Sequence, residues 1–262
     1  MSIPEFPTGS RGTALVTGAS HRVGRAIALE LARQGFGLLL TYRTRPDDCG
    51  ETARLAIVEA AAAGHRIEVR CDPLDLADAN AAAAYAGRVA AAAGDRPIDA
   101  VVHNASAYEP HGFGAITADD LGRMHRIEVV SPLLMTQALA PTLARSALAG
   151  GGAVVLFSDV YALGRARAGF TPYLLAKAAV ATLARQLAVE LAPAVRVHCV
   201  APGVVMWPPD FPDETKRVIL ARTPLGRAGT PEEAARLVRF LVLEATFSTG
   251  DTIAIDGGRA LR

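Results

Sequence analysis

The chain has 262 residues, 51% of them hydrophobic, 20% charged and 5% aromatic, with a formal net charge of +1. A globular chain of this length buries roughly three-quarters of its unfolded surface, and this composition excludes a disordered segment and a small disulfide scaffold. The near-zero charge leaves no electrostatic footprint for nucleic acid or an anionic membrane, so a small-molecule partner is expected. Cys49, Cys71 and Cys199 are odd in number, widely spaced and without CxxC pairing, which fits reduced thiols and neither a disulfide framework nor a metal site. No apolar run reaches signal-peptide or membrane-span length. A cytoplasmic protein is expected, with a flexible segment over 1–10 ahead of a single domain over 11–262.

In chain order, short apolar runs alternate with alanine-rich helical stretches. Strands are expected at Thr13–Thr17, Gly37–Thr41, Ile67–Cys71, Ile98–His103, Ala153–Phe157, Arg196–Val200 and Thr252–Ile255; most are nearly continuously apolar, as strands covered on both faces must be. A first helix, about Arg22 to Gln34, stops at Gly35, and a second, about Cys49 to Ala63, stops at Gly64. Thr230-Pro231-Glu232-Glu233 supplies a hydroxyl cap, a proline at the first helical position and first-turn carboxylates for a helix to about Ala245. Strand–helix alternation predicts a parallel sheet. The eight-fold barrel and the doubly wound open sheet both use it, and the turn Thr17-Gly18-Ala19-Ser20-His21-Arg22-Val23-Gly24 between first strand and first helix favours the open sheet.

In that turn Gly18 lets the backbone approach a pyrophosphate, Gly24 lets the helix sit close, and the helix N-terminus offers N–H groups and partial positive charge. Tyr173 and Lys177 stand four apart on a helical stretch. They therefore share a face, where an ammonium can lower a phenol's pKa toward that of a working proton donor.

Together with Asn104-Ala105-Ser106 after the fourth strand and Ala201-Pro202-Gly203 after the sixth, these motifs resemble the short-chain dehydrogenase/reductase family over about residues 11 to 258. The resemblance implies a single-domain α/β Rossmann-type doubly wound parallel sheet of about seven strands, with helices on both faces. It also implies a nicotinamide cofactor, Tyr173 as acid, Lys177 on the nicotinamide ribose, and Asn104 and Ala105 on the adenine-ribose side. The Val205 N–H would meet the carboxamide beyond Pro202 and Gly203, and a substrate lid would cover about 204–225. A homotetramer through the fifth and sixth helices, about Pro132–Ala149 and Pro172–Leu191, is implied as well. The C-terminal Asp256–Arg262 would reach toward a neighbour's site.

Departures from the general pattern sharpen the resemblance toward the pteridine reductase and dihydromonapterin reductase branch. Arg22 replaces a turn glycine, Asp159 stands near the usual serine, and Tyr108 follows Ser106. That branch implies an arginine facing the 2′-phosphate of NADPH, an aspartate working with tyrosine and lysine, and an aromatic stacking on the pterin. The second strand ends Tyr42-Arg43-Thr44 without the carboxylate that a free 2′-hydroxyl would require; Arg22 and Arg43 suit a phosphate instead. Ser20, His21 and Val23 of the turn complete this side. Asp75, ahead of Leu76, is expected at the adenine, with Asp72 as competitor.

Either Asp159 or Ser158 fills the position before Tyr173, and the loop Gly164–Thr171 is expected to carry an inserted residue. Glu128 stands four residues before Pro132, where many members place an asparagine that holds a relay water, and His198 reads as structural. Ser106, Tyr108, Asp159, Tyr173 and Trp207 form the expected substrate side, with Trp207 and Phe211 suited to a flat ring. The expectation is NADPH-dependent reduction of a pteridine C=N bond. The alternatives are a carbonyl reductase, such as one acting on 3-oxoacyl thioesters with Ser158 as its serine, and a non-catalytic dinucleotide-binding regulator.

Overall fold

The computed structural model describes residues 6–208 and 210–262. The strands β1 (Gly12–Val16), β2 (Phe36–Tyr42), β3 (Val69–Pro73), β4 (Ala100–His103), β5 (Gly152–Phe157), β6 (Val195–Pro202) and β7 (Thr252–Ile255) form one parallel sheet in the order β3-β2-β1-β4-β5-β6-β7. Successive strand residues face opposite layers. Leu15, Leu39, Val101 and Val154 meet α3 (Ala79–Ala93), α4 (Ala118–His125), α5 (Ser131–Leu143) and α6 (Thr171–Glu190). Val16, Leu40, Val102 and Val155 meet α1 (Arg22–Arg33), α2 (Pro46–Ala62) and α8 (Pro231–Leu243). The open-sheet expectation therefore holds, with helices on both faces.

Several ends follow the sequence closely. Gly35 and Gly64 adopt φ of +84° and +81° just past α1 and α2, and Thr230 and Glu233 cap α8 reciprocally. Other expected bounds move for local reasons. Helix α2 starts at Pro46, earlier than Cys49, because proline fits the first helical turn and Asp47 and Asp48 favour its positive end. Helix α5 ends at Leu143, well short of Ala149; the chain beyond it turns through Gly150 and Gly151 at positive φ before entering β5. Strand β3 begins at Val69, two residues after Ile67, which instead bridges antiparallel to Gly9.

That bridge also corrects the expected flexible segment. Thr8 donates its N–H and hydroxyl to the Glu68 carboxylate at 2.9 and 2.8 Å, and Phe6 is buried in the core beneath α3. Residues 6–10 are docked, and residues 1–5 of that segment lie outside the described residues. No helix among the described residues is long and apolar enough to cross a membrane.

Chain connections leave β1 and β4 in opposite directions, which opens a crevice at their carboxyl ends, the place where doubly wound sheets take ligands. Between β6 and α8, the segment carrying α7 (Asp213–Ala221) contributes Ile219 to that crevice.

Candidate active site

The crevice encloses about 670 Å³, and every residue expected at the site lines it. At its nucleotide end, a Cβ on Gly18 (φ +67°) would sit 2.8 Å from Ala105 Cα, and one on Gly24 would sit 2.2 Å from Gly18 O. Both glycines thus serve close backbone packing within the protein. Asn104 fastens the same turn: its Nδ2 donates to Thr17 O and Gly18 O at 3.1 and 3.2 Å. The expectation gave that amide to the cofactor side, whereas its donors are committed to the turn.

Arg22 adopts φ +55°, a left-handed conformation that explains why glycine suits this position. Its guanidinium donates to Met206 O at 3.2 Å, linking the turn to the segment after β6. Arg43 and Thr44 line the crevice from the end of β2, and Arg45, which the sequence reading did not single out, lines it with them. Arg25, also missed, donates to Ser20 O, Asp48 O and Thr52 Oγ1, while Ser20 donates to Arg45 O; together they brace the turn against α2. The pKa of His21 is lowered by partial burial and then by Arg45 and Arg22, as expected where cationic groups converge. Asp72 accepts from Arg70 and Tyr85 and stays outside the crevice, while Asp75 and Leu76 line it.

At the catalytic end the one-residue ambiguity has a geometric answer. Ser158 is buried and donates to Lys177 O at 2.7 Å, facing the α6 backbone. Asp159 faces the crevice, where one carboxylate oxygen accepts the Tyr161 N–H at 2.8 Å and the other accepts the Tyr173 hydroxyl at 2.9 Å. Lys177 Nζ donates to Phe157 O at 2.7 Å and pairs with Glu128 at 2.7 Å. Burial, then Asp159 and Glu128, hold the Tyr173 pKa well above a phenol's ordinary value. The expectation that Lys177 lowers it is therefore corrected, because the ammonium is neutralised by Glu128. Tyr173 remains protonated and can act as a proton donor.

The substrate end is aromatic and cationic. Tyr108 stacks on Phe170 with centroids 4.6 Å apart and meets Tyr173 edge-on at 5.2 Å. Arg167 lies over Phe170, 4.4 Å from its centroid, and Trp207, 5.1 Å from Phe211, lines the crevice with it. Arg259 is buried and donates to Tyr161 Oη at 2.8 Å and Ile219 O at 3.0 Å. This part of the C-terminal segment, expected to reach toward a neighbour, closes its own chain's crevice. Phe170, Tyr161, Arg167 and Arg259 come from loops with no motif, so sequence spacing gave no signal for them. His198 is structural: burial, then Arg196, lowers its pKa to about 4, and no metal-binding cluster occurs among the described residues.

A nucleotide-sized crevice at the switch point, a helix N-terminus over a glycine turn, and a Tyr–Lys pair define a dinucleotide-dependent oxidoreductase. The family model described as enoyl-(acyl carrier protein) reductase matches residues 18–260. The 3-oxoacyl-[acyl-carrier-protein] reductase of Aggregatibacter actinomycetemcomitans is 34% identical over 262 residues, spanning 94% of this chain and 98% of its own. A Burkholderia cenocepacia short-chain dehydrogenase solved with NADP is 29% identical, with a TM-score of 0.82, covering 96% of this chain and 98% of the other. A blue fluorescent protein from a metagenomic library, solved with NADPH, is 29% identical, with a TM-score of 0.81 and coverage of 95% and 98%. The chain belongs to the short-chain dehydrogenase/reductase family and is an NAD(P)-dependent oxidoreductase.

The residues present fit that cofactor. The second strand ends without a carboxylate, the glycine turn and α1 offer backbone donors, and Lys177 stands where the resemblance expects a ribose contact. When bound, the nicotinamide supplies hydride.

Proposed function

We propose that the protein is an NADPH-dependent reductase of a C=N bond in a flat, nitrogen-rich ring of the pteridine class. The observation that carries this reading is the Asp159–Tyr173 hydrogen bond, with the Ser158 hydroxyl committed to Lys177 O. A carboxylate beside the proton donor accepts N–H groups of a heterocycle, and it opposes the negative oxygen that develops when a ketone is reduced. Tyr108, Trp207 and Phe211 offer faces for a planar ring. Tyr173, kept as a phenol, delivers the proton, Asp159 orients its hydroxyl, and Ser106 borders the same end of the crevice. Arg43, Thr44 and Arg45 support a preference for the 2′-phosphate.

The relative named 3-oxoacyl-[acyl-carrier-protein] reductase favours a second reading, reduction of a carbonyl. Two variants separate them. Under the first reading Asp159→Ser loses about 10²-fold or more of pteridine turnover and Ser158→Ala little, since general-acid assistance is worth about 10²- to 10⁴-fold. Under the second, Asp159→Ser preserves or improves ketone turnover.

A further inference from the structure

A second carboxylate acts on Tyr173 from behind the residues that line the crevice. The π turn Arg126–Val130 carries Glu128 inward, where its side chain is 2% exposed against 3% for Lys177. One Glu128 oxygen accepts Lys177 Nζ at 2.7 Å; the other accepts Ser106 Oγ at 2.5 Å and the Ala107 N–H at 3.2 Å. Both oxygens thus have partners despite their burial. Asp159 has no cationic partner within ion-pair distance among the described residues. The groups around Tyr173 are Asp159 after β5, Glu128 on the π turn, Lys177 on its own helix and Tyr108 after β4, with Arg167 beside Tyr108. Two carboxylates face one ammonium and, beside Tyr108, the Arg167 guanidinium, so the charges balance; with a neutral residue at position 128 they would sum to one positive.

We propose that Glu128 is a specificity-determining residue: by cancelling Lys177 it makes the reacting centre one charge more negative than a neutral side chain there would, so the site favours a substrate carrying a proton on ring nitrogen over a ketone. The inference rests on the C=N reading above. In that reaction hydride from the nicotinamide adds to carbon and one proton adds to nitrogen, giving CH–NH. A positive nitrogen on the way is stabilised by the Glu128 charge, whereas ketone reduction gathers negative charge on oxygen and is opposed by it. Glu128 touches Lys177 and Ser106 and acts through them on the reacting end; one charge a few ångströms away, at an effective dielectric near 20, is worth about tenfold or more.

The test uses Glu128→Gln, which keeps the shape and removes the charge. Phenolate absorbance against pH, taken as the difference from the same background carrying Tyr173→Phe, reads Tyr173 without any substrate. Tyr173 should ionise about one pH unit or more lower in Glu128→Gln. The double variant Glu128→Gln/Lys177→Met removes both charges and restores the net charge, so Tyr173 should ionise no earlier than in the wild type. It also keeps the test available should the single variant, with its unpaired ammonium, fail to fold. In turnover, the kcat/KM ratio of dihydropterin to 3-oxoacyl thioester should fall about tenfold or more in Glu128→Gln. An unmoved Tyr173, an equal downward shift in single and double variants, or an unchanged ratio overturns the proposal. A Tyr173 shift as expected in an enzyme that reduces only ketones overturns the C=N reading instead, and leaves the charge coupling standing.

Discussion

Among single residues, Tyr173 and Arg43 carry the clearest consequences. Tyr173→Phe removes the phenolic proton while nearly keeping the shape, so it should abolish turnover of any substrate and leave NADPH affinity close to wild type; a titration of cofactor binding checks the second half. Arg43→Ala should weaken NADPH by about ten- to a hundredfold, the worth of one charge-assisted contact, and leave NADH nearly unchanged. Equal losses for both cofactors would mean that Arg43 does not meet the extra phosphate. The Tyr–Lys pair and the glycine turn were legible because each is a local pattern on one element. The choice between Asp159 and Ser158 was not legible, since adjacent residues differ only in which way β5 turns them at its end. Nor was the partner of Glu128, 49 residues away at Lys177 and brought close only by packing of the π turn against α6.

At the scale of elements, the start of α1 carries backbone strain at Arg22, whose φ of +55° suits glycine. Arg22→Gly should stabilise the cofactor-free protein by a few tenths to about 1 kcal/mol, while weakening NADPH and freeing the segment at Met206. Urea unfolding measures the first effect, and a net destabilisation would contradict it.

On β4, His103 is buried, bonded through Nε2 to Thr136 Oγ1 at 2.9 Å, with Nδ1 unpartnered, and burial lowers its pKa to about 3. The unfolded chain binds a proton there near pH 6.5 and the native chain does not. This contribution is therefore fully present above pH 6.5 and is lost as pH falls toward 3. Stability should rise with pH across that window by up to about 1.4 kcal/mol per unit, and His103→Gln should flatten the slope by about one proton. An unchanged slope in that variant would show that His103 is protonated in the native state. The strands were readable as apolar runs, whereas the bounds of α5 and β3 depended on the chain beyond their ends: the glycine turn before β5 and the docked segment at Gly9.

For the molecule as a whole, the sheet's switch point gathers residues from along the chain into one crevice, from Gly18 to Arg259. We propose that the protein assembles as a homotetramer through α5 and α6. Leu175 and Val189 on α6 are 59% and 79% exposed, with small Ala178 between them on the same outward face. Light scattering at micromolar concentration should give four times the chain mass, and Leu175→Glu/Val189→Glu should lower it; a stable wild-type monomer would refute the assembly.

The aromatic-walled reacting centre, with Asp159 bonded to the proton donor, predicts the chemical class of substrate. The most direct measurement is NADPH consumption with a panel of dihydropterins, 3-oxoacyl thioesters and simple ketones, assayed side by side on the wild-type protein. Turnover of the dihydropterins is expected with kcat/KM at least about tenfold above every carbonyl compound; turnover confined to the carbonyl compounds would contradict the C=N reading.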